Sequence, residues 1–347
     1  MRFRRTTHAA RRFPLMALIA LLPLATPSPA VRMGTWANQA PAAGPSARYL
    51  HAMAPIGEDL VLLYGGNDGS SFLGDTWLYD LGDNTWTNLA PAGAPSARGW
   101  HAMAYLGGDK VLLFGGVNDR RSFAETWTYD LSDNSWTWFP PAIGPPERHG
   151  HAMAYLGGDQ VLLFGGYDGS GPFFGDTWVY DRSDNTWTEQ APGAAPPGRD
   201  LHAMASLGGG RVLVFGGRVG YYDPDGETWV YDSSANSWTQ LAPAASPSAR
   251  YVHAMASPGE DQVLLFGGND DSSYLDDTWL YDLGDNTWTE QVPAAAPSAR
   301  GYAAMASLGT GQVLLFGGWD GSYLGDTWLA TGFGMPPFTV YLPLVIK

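Results

Sequence analysis

Five of the seven histidines in this 347-residue chain, His51, His101, His151, His202 and His253, recur at nearly constant intervals. Imidazole is a general base, and a metal ligand wherever several converge. One position repeated in successive units instead predicts packing and hydrogen bonding, with the rings spread around the molecule rather than gathered on one ion. Arginine repeats more completely, at Arg48, Arg98, Arg148, Arg199, Arg250 and Arg300. Its planar head with five donors suits the capping of carbonyls between units. Acid/base chemistry is better sought among irregular ionisable groups, and Glu147, His149, Asp200 and Arg218 are the catalytic candidates. No triad or metal motif joins them. The stretches at 67–70 and 223–227 offer carboxylates to calcium, but they lack EF-hand spacing, and Asp-Gly is first a turn signal. Cysteine is absent, which removes disulfides, thiolate zinc sites, iron-sulfur clusters and a cysteine nucleophile. No metal or cofactor is expected.

The elements that position these residues are repeats. Gly-Gly pairs begin at 65, 115, 165, 216, 267 and 317, so one unit of 50 or 51 residues is copied six times. In the second copy, Ala102-Met103-Ala104 leads to Val111-Leu112-Leu113-Phe114 before Gly-Gly, then to Thr126-Trp127-Thr128-Tyr129-Asp130, then to Ser135-Trp136-Thr137. A continuous apolar run suits a strand buried on both faces, and the Thr/Trp/Tyr runs carry the residues that fill a pleated surface. Gly-Gly and Asp/Asn clusters supply the turns between them. Nothing in the unit is helical. A four-stranded sheet cannot bury both its faces alone, and radial stacking solves this by packing each sheet between two neighbours. The fold class is therefore all-β, a six-bladed propeller. The last unit lacks its fourth strand, while Thr35-Trp36-Ala37 is a fourth strand with no preceding three. The N-terminal strand is expected to complete the last blade and close the ring.

Gly-Gly after the second strand, Tyr-Asp ending the third, Trp about seven residues after that Tyr, and Arg-x-x-His opening the next unit resemble kelch repeats across residues 34–330. Blade six departs from the pattern, with Ala303 in place of His and Ala330 in place of Tyr. The resemblance implies that the loop after Gly-Gly and the loop entering the first strand share one face around a central channel. Tyr49, Trp100, Tyr167, Arg218, Tyr251, Tyr302 and Trp319 stand in those loops and are the ligand-binding candidates, because loop residues on a rigid scaffold carry recognition. Aromatic side chains there can stack on sugar faces or anchor a protein interface. The expected function is a noncatalytic binding module for a glycan or protein. Some kelch propellers are galactose oxidases, whose copper site uses a tyrosine crosslinked to cysteine, and this chain has no cysteine for it. Others are sialic acid mutarotases, and a carbohydrate-active enzyme of that type, or a surface-structural component, is the alternative.

Composition bounds the partners. The chain is 45% hydrophobic and rich in aromatic residues, and its formal charge is −15. Residues 1–30 read as a secretory signal: an Arg-rich start, an apolar run over 13–26 and small residues before position 31. Removing them leaves 14 basic residues against 34 acidic, a net of −20, which disfavours nucleic acid and anionic membranes. A propeller over 31–332 and an apolar tail over 333–347, too short to span a bilayer, complete the expected organisation. The expectation is a monomeric extracellular or cell-surface protein with no transmembrane segment after cleavage.

Overall fold

The computed structural model describes residues 34–333 except 58 and 310; the signal and nearly all of the tail read from the sequence lie outside the described residues. Six four-stranded antiparallel sheets make the blades of a propeller. In blade two the strands are Ala102–Tyr105, Lys110–Phe114, Thr126–Asp130 and Ser135–Phe139, each paired with the next. Val111, Leu112, Leu113 and Phe114 are fully buried, as a strand enclosed between two neighbouring sheets requires. The small residues of Ala-Met-Ala form the innermost strand in every blade, where the sheets crowd nearest the axis. Among the described residues, no helix is long and apolar enough to cross a membrane.

Blade six takes Ala304–Ser307, Gln312–Trp319 and Tyr323–Thr331 from the end of the repeat array and Thr35–Asn38 from its beginning. Trp36 faces Ala330 in that pairing, so the ring closes through the N-terminal strand.

Each seam between blades is built in one way. The fourth-strand tryptophan is buried against the aromatic residue of the preceding blade's second strand: Trp136 on Tyr64 and Trp187 on Phe114, with centroids 5.2 and 5.3 Å apart. Its indole N–H donates to a threonine hydroxyl of that preceding blade, in all six seams and at 3.0–3.1 Å, including Trp36 to Thr278 and Trp86 to Thr327 across the two ends of the array. A buried indole N–H without a partner would cost about 1–3 kcal/mol, so the threonine is as much part of the wedge as the ring. In blade six, Ala330 leaves out the tyrosine that supports the tryptophan elsewhere. Phe333, which the sequence reading assigned to the tail, is 2% exposed and packs on Trp36 at 6.1 Å in its stead.

The arginines clamp within their own blade rather than between blades, which corrects the expectation. Arg48 donates to the Gly65 carbonyl and bidentately to Asp75, and the same carbonyl-and-carboxylate pattern recurs in each blade through Glu125, Asp176, Glu227, Asp277 and Asp326. All six guanidinium groups are essentially inaccessible to solvent, and a buried cation persists only when paired and hydrogen-bonded in this way. Backbone atoms link the blades at the same place, as in Gly66 N–H to the Arg98 carbonyl. The second glycine is forced there: at Gly116 φ is 94° and a Cβ would lie 2.9 Å from the Gly99 carbonyl oxygen.

Candidate functional site

The loop after Gly-Gly and the loop entering the first strand are paired in every blade. Single antiparallel bridges join Tyr49 to Asn67, Gly99 to Val117, His149 to Tyr167, Asp200 to Arg218, Tyr251 to Asn269 and Gly301 to Trp319. The two irregular sets of residues read from the sequence are thus brought together on one face, as the resemblance implied.

One residue further on, the chain turns left-handed. Leu50, Trp100, Gly150, Leu201, Val252 and Tyr302 have φ between 52° and 65°. The N–H of each later member donates to the carbonyl of the member before it: Trp100 to Leu50, Gly150 to Trp100, Leu201 to Gly150, Val252 to Leu201 and Tyr302 to Val252. These bonds form a collar of backbone that ties six blades at the channel mouth. Only Gly150 adopts this conformation without steric cost; for β-branched Val252 it is a marked outlier. Strain of this kind persists where the surroundings over-determine it, and it concentrates at ligand clamps.

Beneath the collar, the five repeated histidines and Ala303 form a second layer, and the two layers line one cavity of about 130 Å³. Each imidazole packs edge-on against a second-strand aromatic ring of the preceding blade, as His151 does on Phe114. The expected packing role stands, but the hydrogen-bonding role is corrected: neither ring nitrogen of any of the five is hydrogen-bonded. Burial, reinforced by the neighbouring arginine, holds His51 and His253 down to about 3 and the other three well below the ordinary imidazole range. The backbone carbonyls of Phe316, Tyr64, Phe164 and Phe215 lie close enough to His51, His101, His202 and His253 to ease that shift without meeting hydrogen-bond geometry. The rings share a layer, yet no group of three or more His, Asp or Glu side chains is placed to hold a metal ion among the described residues.

Around the collar, the candidate binding residues form a connected rim. Tyr49 contacts Trp319 at 5.9 Å and Tyr302 at 5.6 Å, and Tyr302 contacts Trp100 at 6.2 Å. From Trp100 the chain of rings continues through His149 to Tyr167, each step 5.6 Å. The Tyr167 hydroxyl meets that of Tyr221 at 2.6 Å, and the Arg218 guanidinium lies over Phe173 on one side and Tyr251 on the other. All seven candidates are half-buried, which fixes their orientation and leaves a face to solvent. Sequence reasoning missed Phe173, Tyr221 and Tyr323. Tyr221 stands where the Asn-Asp-Gly-Ser turn is altered, in the hairpin formed by Arg218–Gly220 and Asp223–Pro224, and that irregularity was the available signal, whereas Tyr323 pairs with Trp319 as Phe72 pairs with Asn67 and Tyr274 with Asn269. In the unaltered loop, Asp68 accepts from the N–H groups of Ser70 and Ser71, so the carboxylate serves the turn.

The four ionisable candidates are arranged for structure more than for proton transfer. Asp200 is 1% exposed and spends both carboxylate oxygens on Arg218, at 3.0 and 2.7 Å. Burial raises its pKa against the pull of that arginine. His149 shares a hydrogen bond with the Ser122 hydroxyl through Nδ1. Glu147 is exposed and lines a different groove, beside Trp138 and Pro140, so the four do not form one constellation.

A family model described as the KLHDC2/KLHL20/DRC7 Kelch-repeats domain matches residues 30–166 and 150–331. The chain is 35% identical over 108 residues to the flagellar outer-arm dynein alpha chain of Chlamydomonas reinhardtii, a match covering 29% of this chain and 2% of the dynein. It is 26% identical over 97 residues to Kelch domain-containing protein 1 of Mus musculus (28% and 23%), and 30% identical over 103 residues to the mouse Rab9 effector protein with kelch motifs (28% and 27%). Each match spans about a quarter or less of the relative's length. Six blades with the repeated Arg, Gly-Gly and Trp positions, five of them with the Tyr, agree with the family match over nearly the whole described chain, and the protein belongs to the kelch-repeat propellers.

Proposed function

We propose that the protein is a noncatalytic binding module acting outside the cytoplasm, and that its ligand is a glycan held at the channel mouth. The connected aromatic rim carries this reading. Half-buried tyrosines and tryptophans offer flat apolar faces with hydroxyl and indole edges, the combination that matches the C–H faces and hydroxyls of a sugar. Arg218, the one cation among the seven rim residues, is already held by Asp200, so the rim favours a neutral ligand. The burial of Asp200, 1% exposed with both oxygens on Arg218, also supports binding over acid/base catalysis, because a general base must reach the substrate proton. A protein ligand is the second reading. It is favoured by kelch relatives such as the Rab9 effector, and the same rim would serve it as an anchor.

The test is a thermal-shift screen of the purified protein against neutral and acidic glycans, since a ligand that binds the native state raises the melting temperature. A neutral oligosaccharide should stabilise the protein, and replacing Trp100, Tyr251 and Trp319 together by Ala should abolish that shift. A shift that survives the triple replacement would move the site elsewhere. Export is tested separately: secreted material should begin near Val31, and recovery of Met1 on it would overturn the signal reading.

A further inference from the structure

Blade two differs from the others at its outer edge. Opposite the third-strand tryptophan, five blades place a polar residue: Asn88 facing Trp77, Glu189 facing Trp178, Gln240 facing Trp229, Glu290 facing Trp279 and Asn38 facing Trp328. Blade two has Trp138 there, facing Trp127. Five blades close without an aromatic side chain at this position, so the scaffold does not require one. Trp138 is 53% exposed, its ring centroid 6.5 Å from that of Trp127 and tilted by 35°. Its indole N–H has no hydrogen-bond partner among the described residues, whereas that of Trp127 donates to Glu125.

Trp138 forms one wall of a groove of about 590 Å³, a volume typical of ligand pockets. Pro140, Pro141 and Pro145 line it with Phe123, and Glu147 contributes an exposed carboxylate with no partner among the described residues. Arg121, its cation, is paired with Glu125. Ser122 lines the same groove and is hydrogen-bonded to His149 of the rim, so the groove begins where the mouth ends.

We propose that this groove is a second sugar subsite, in which Trp138 stacks on a neutral hexose of an oligosaccharide whose other end lies at the mouth. The inference rests on the glycan reading of the mouth and adds that the ligand is a chain reaching outward along blade two. An anionic chain is disfavoured by the free carboxylate, in a protein of net charge −15. A proline-rich peptide fits the aromatic wall but brings few N–H donors, and it would cover Glu147 without satisfying it. A hexose supplies both an apolar face for the indole and hydroxyl donors for the carboxylate.

The experiment uses the full chain carrying 5-fluorotryptophan, with cellohexaose, mannohexaose and maltohexaose, their disaccharides, and a decaproline peptide as probes. Fluorine resonances of Trp100, Trp138 and Trp319 are assigned from single Phe replacements, and affinities are measured by calorimetry. A hexaose should shift the Trp138 resonance together with those of the rim, and the matching disaccharide should shift the rim alone. Trp138→Ala should weaken hexaose binding about tenfold, the effect of losing one stacking platform, while leaving disaccharide affinity and melting temperature unchanged. Hexaose binding that shifts the rim but is untouched by Trp138→Ala would overturn the subsite and leave the mouth reading intact. Failure of all three hexaoses to bind would overturn both for neutral hexose chains. A Trp138 resonance that responds to decaproline and not to saccharide would overturn the assigned chemistry.

Discussion

At the six seams the molecule repeats one solution, an indole donating to a threonine of the preceding blade, whereas at the mouth equivalent positions hold Asn67, Val117, Tyr167, Arg218, Asn269 and Trp319. The seam tryptophans are 3–6% exposed and wedged between aromatic rings; the rim residues are half-buried and touch mainly one another. Repetition at the seam reflects a geometric demand, since every blade must meet its neighbour at the same angle for the ring to close. The mouth is under no such demand. Variation there costs the fold little, and it is where two similar propellers can bind different things.

The sharpest way to break this contrast is to truncate the same number of aromatic residues in each region. Replacing Trp86, Trp136 and Trp187 by Ala should remove about 3–5 kcal/mol apiece, in total enough to exhaust an ordinary domain's stability. Circular dichroism should then show an unfolded chain. A folded triple variant would mean that the seams are not what holds the ring.

Acid should come next in size. The five seam-side histidines are buried as neutral rings, so their folded pKa values lie below the unfolded value of about 6.5. Stability from a group depressed in this way is complete above the unfolded pKa and is lost as pH falls toward the folded one. For His51 and His253 together the loss from pH 7 to pH 5 is about 4 kcal/mol, at roughly 1.4 kcal/mol per unit for each ring once below pH 6.5. Asp75, Asp277 and Asp326, whose carboxyls burial pushes up but the clamping arginines hold low, lose their contribution only at lower pH, so over the interval from 6.5 to 5 the buried histidines dominate the fall, with Asp200, raised by burial, acting in the opposite sense. Urea midpoints that do not fall over that interval would show that the rings reach a proton acceptor on folding.

Closure follows. Trp36→Ala removes a side chain that fills the last seam, contacts Phe266 and Phe333 and donates to Thr278, and should cost about 3–5 kcal/mol in equilibrium unfolding. An unchanged midpoint would rule out the N-terminal strand as the closing element.

Much of this was legible because the fold speaks in repeats. Val111-Leu112-Leu113-Phe114 reads as a doubly buried strand, and the unpaired Thr35-Trp36-Ala37 reads as the missing strand of blade six. The carboxylates Asp75, Glu125, Asp176, Glu227, Asp277 and Asp326 were equally visible as an Asp/Glu-Thr-Trp motif, but a repeated arginine invited a carbonyl partner and the acid two residues before each tryptophan was passed over. Phe333 escaped because it supports Trp36 from outside the repeat, where no period points to it. The collar was illegible for a different reason. Leu50, Val252 and Tyr302 have no preference for left-handed backbone, and only the run of five inter-blade bonds accounts for it. Seven rim residues were legible from loop position and side-chain type; the contacts that Tyr167 and Phe173 make with Tyr221 depend on the unusual hairpin of blade four.

Trp100 permits the finest separation of scaffold from site. Its φ of 59° is strained for tryptophan, and blade three already carries glycine at the equivalent Gly150. Trp100→Gly should therefore relieve backbone strain while losing the ring contacts to His149 and Tyr302. Relief of a left-handed residue is worth about 1–2 kcal/mol, against about 0.5–1.5 kcal/mol for each of two aromatic contacts and the lost burial of a half-buried ring, so the net loss of stability should stay below the roughly 3–5 kcal/mol of a seam truncation. Both collar bonds of Trp100 survive, because they use only its backbone, the N–H donating to the Leu50 carbonyl and the carbonyl accepting from Gly150. Affinity for whichever saccharide raised the melting temperature should nevertheless fall about tenfold, since one stacking face is gone. Parallel calorimetry and thermal unfolding of Trp100→Gly and Trp100→Phe decide the matter, with the phenyl variant retaining most of the affinity. A large drop in melting temperature with glycine, and none in affinity, would place Trp100 with the seam residues and reduce the rim to a channel plug.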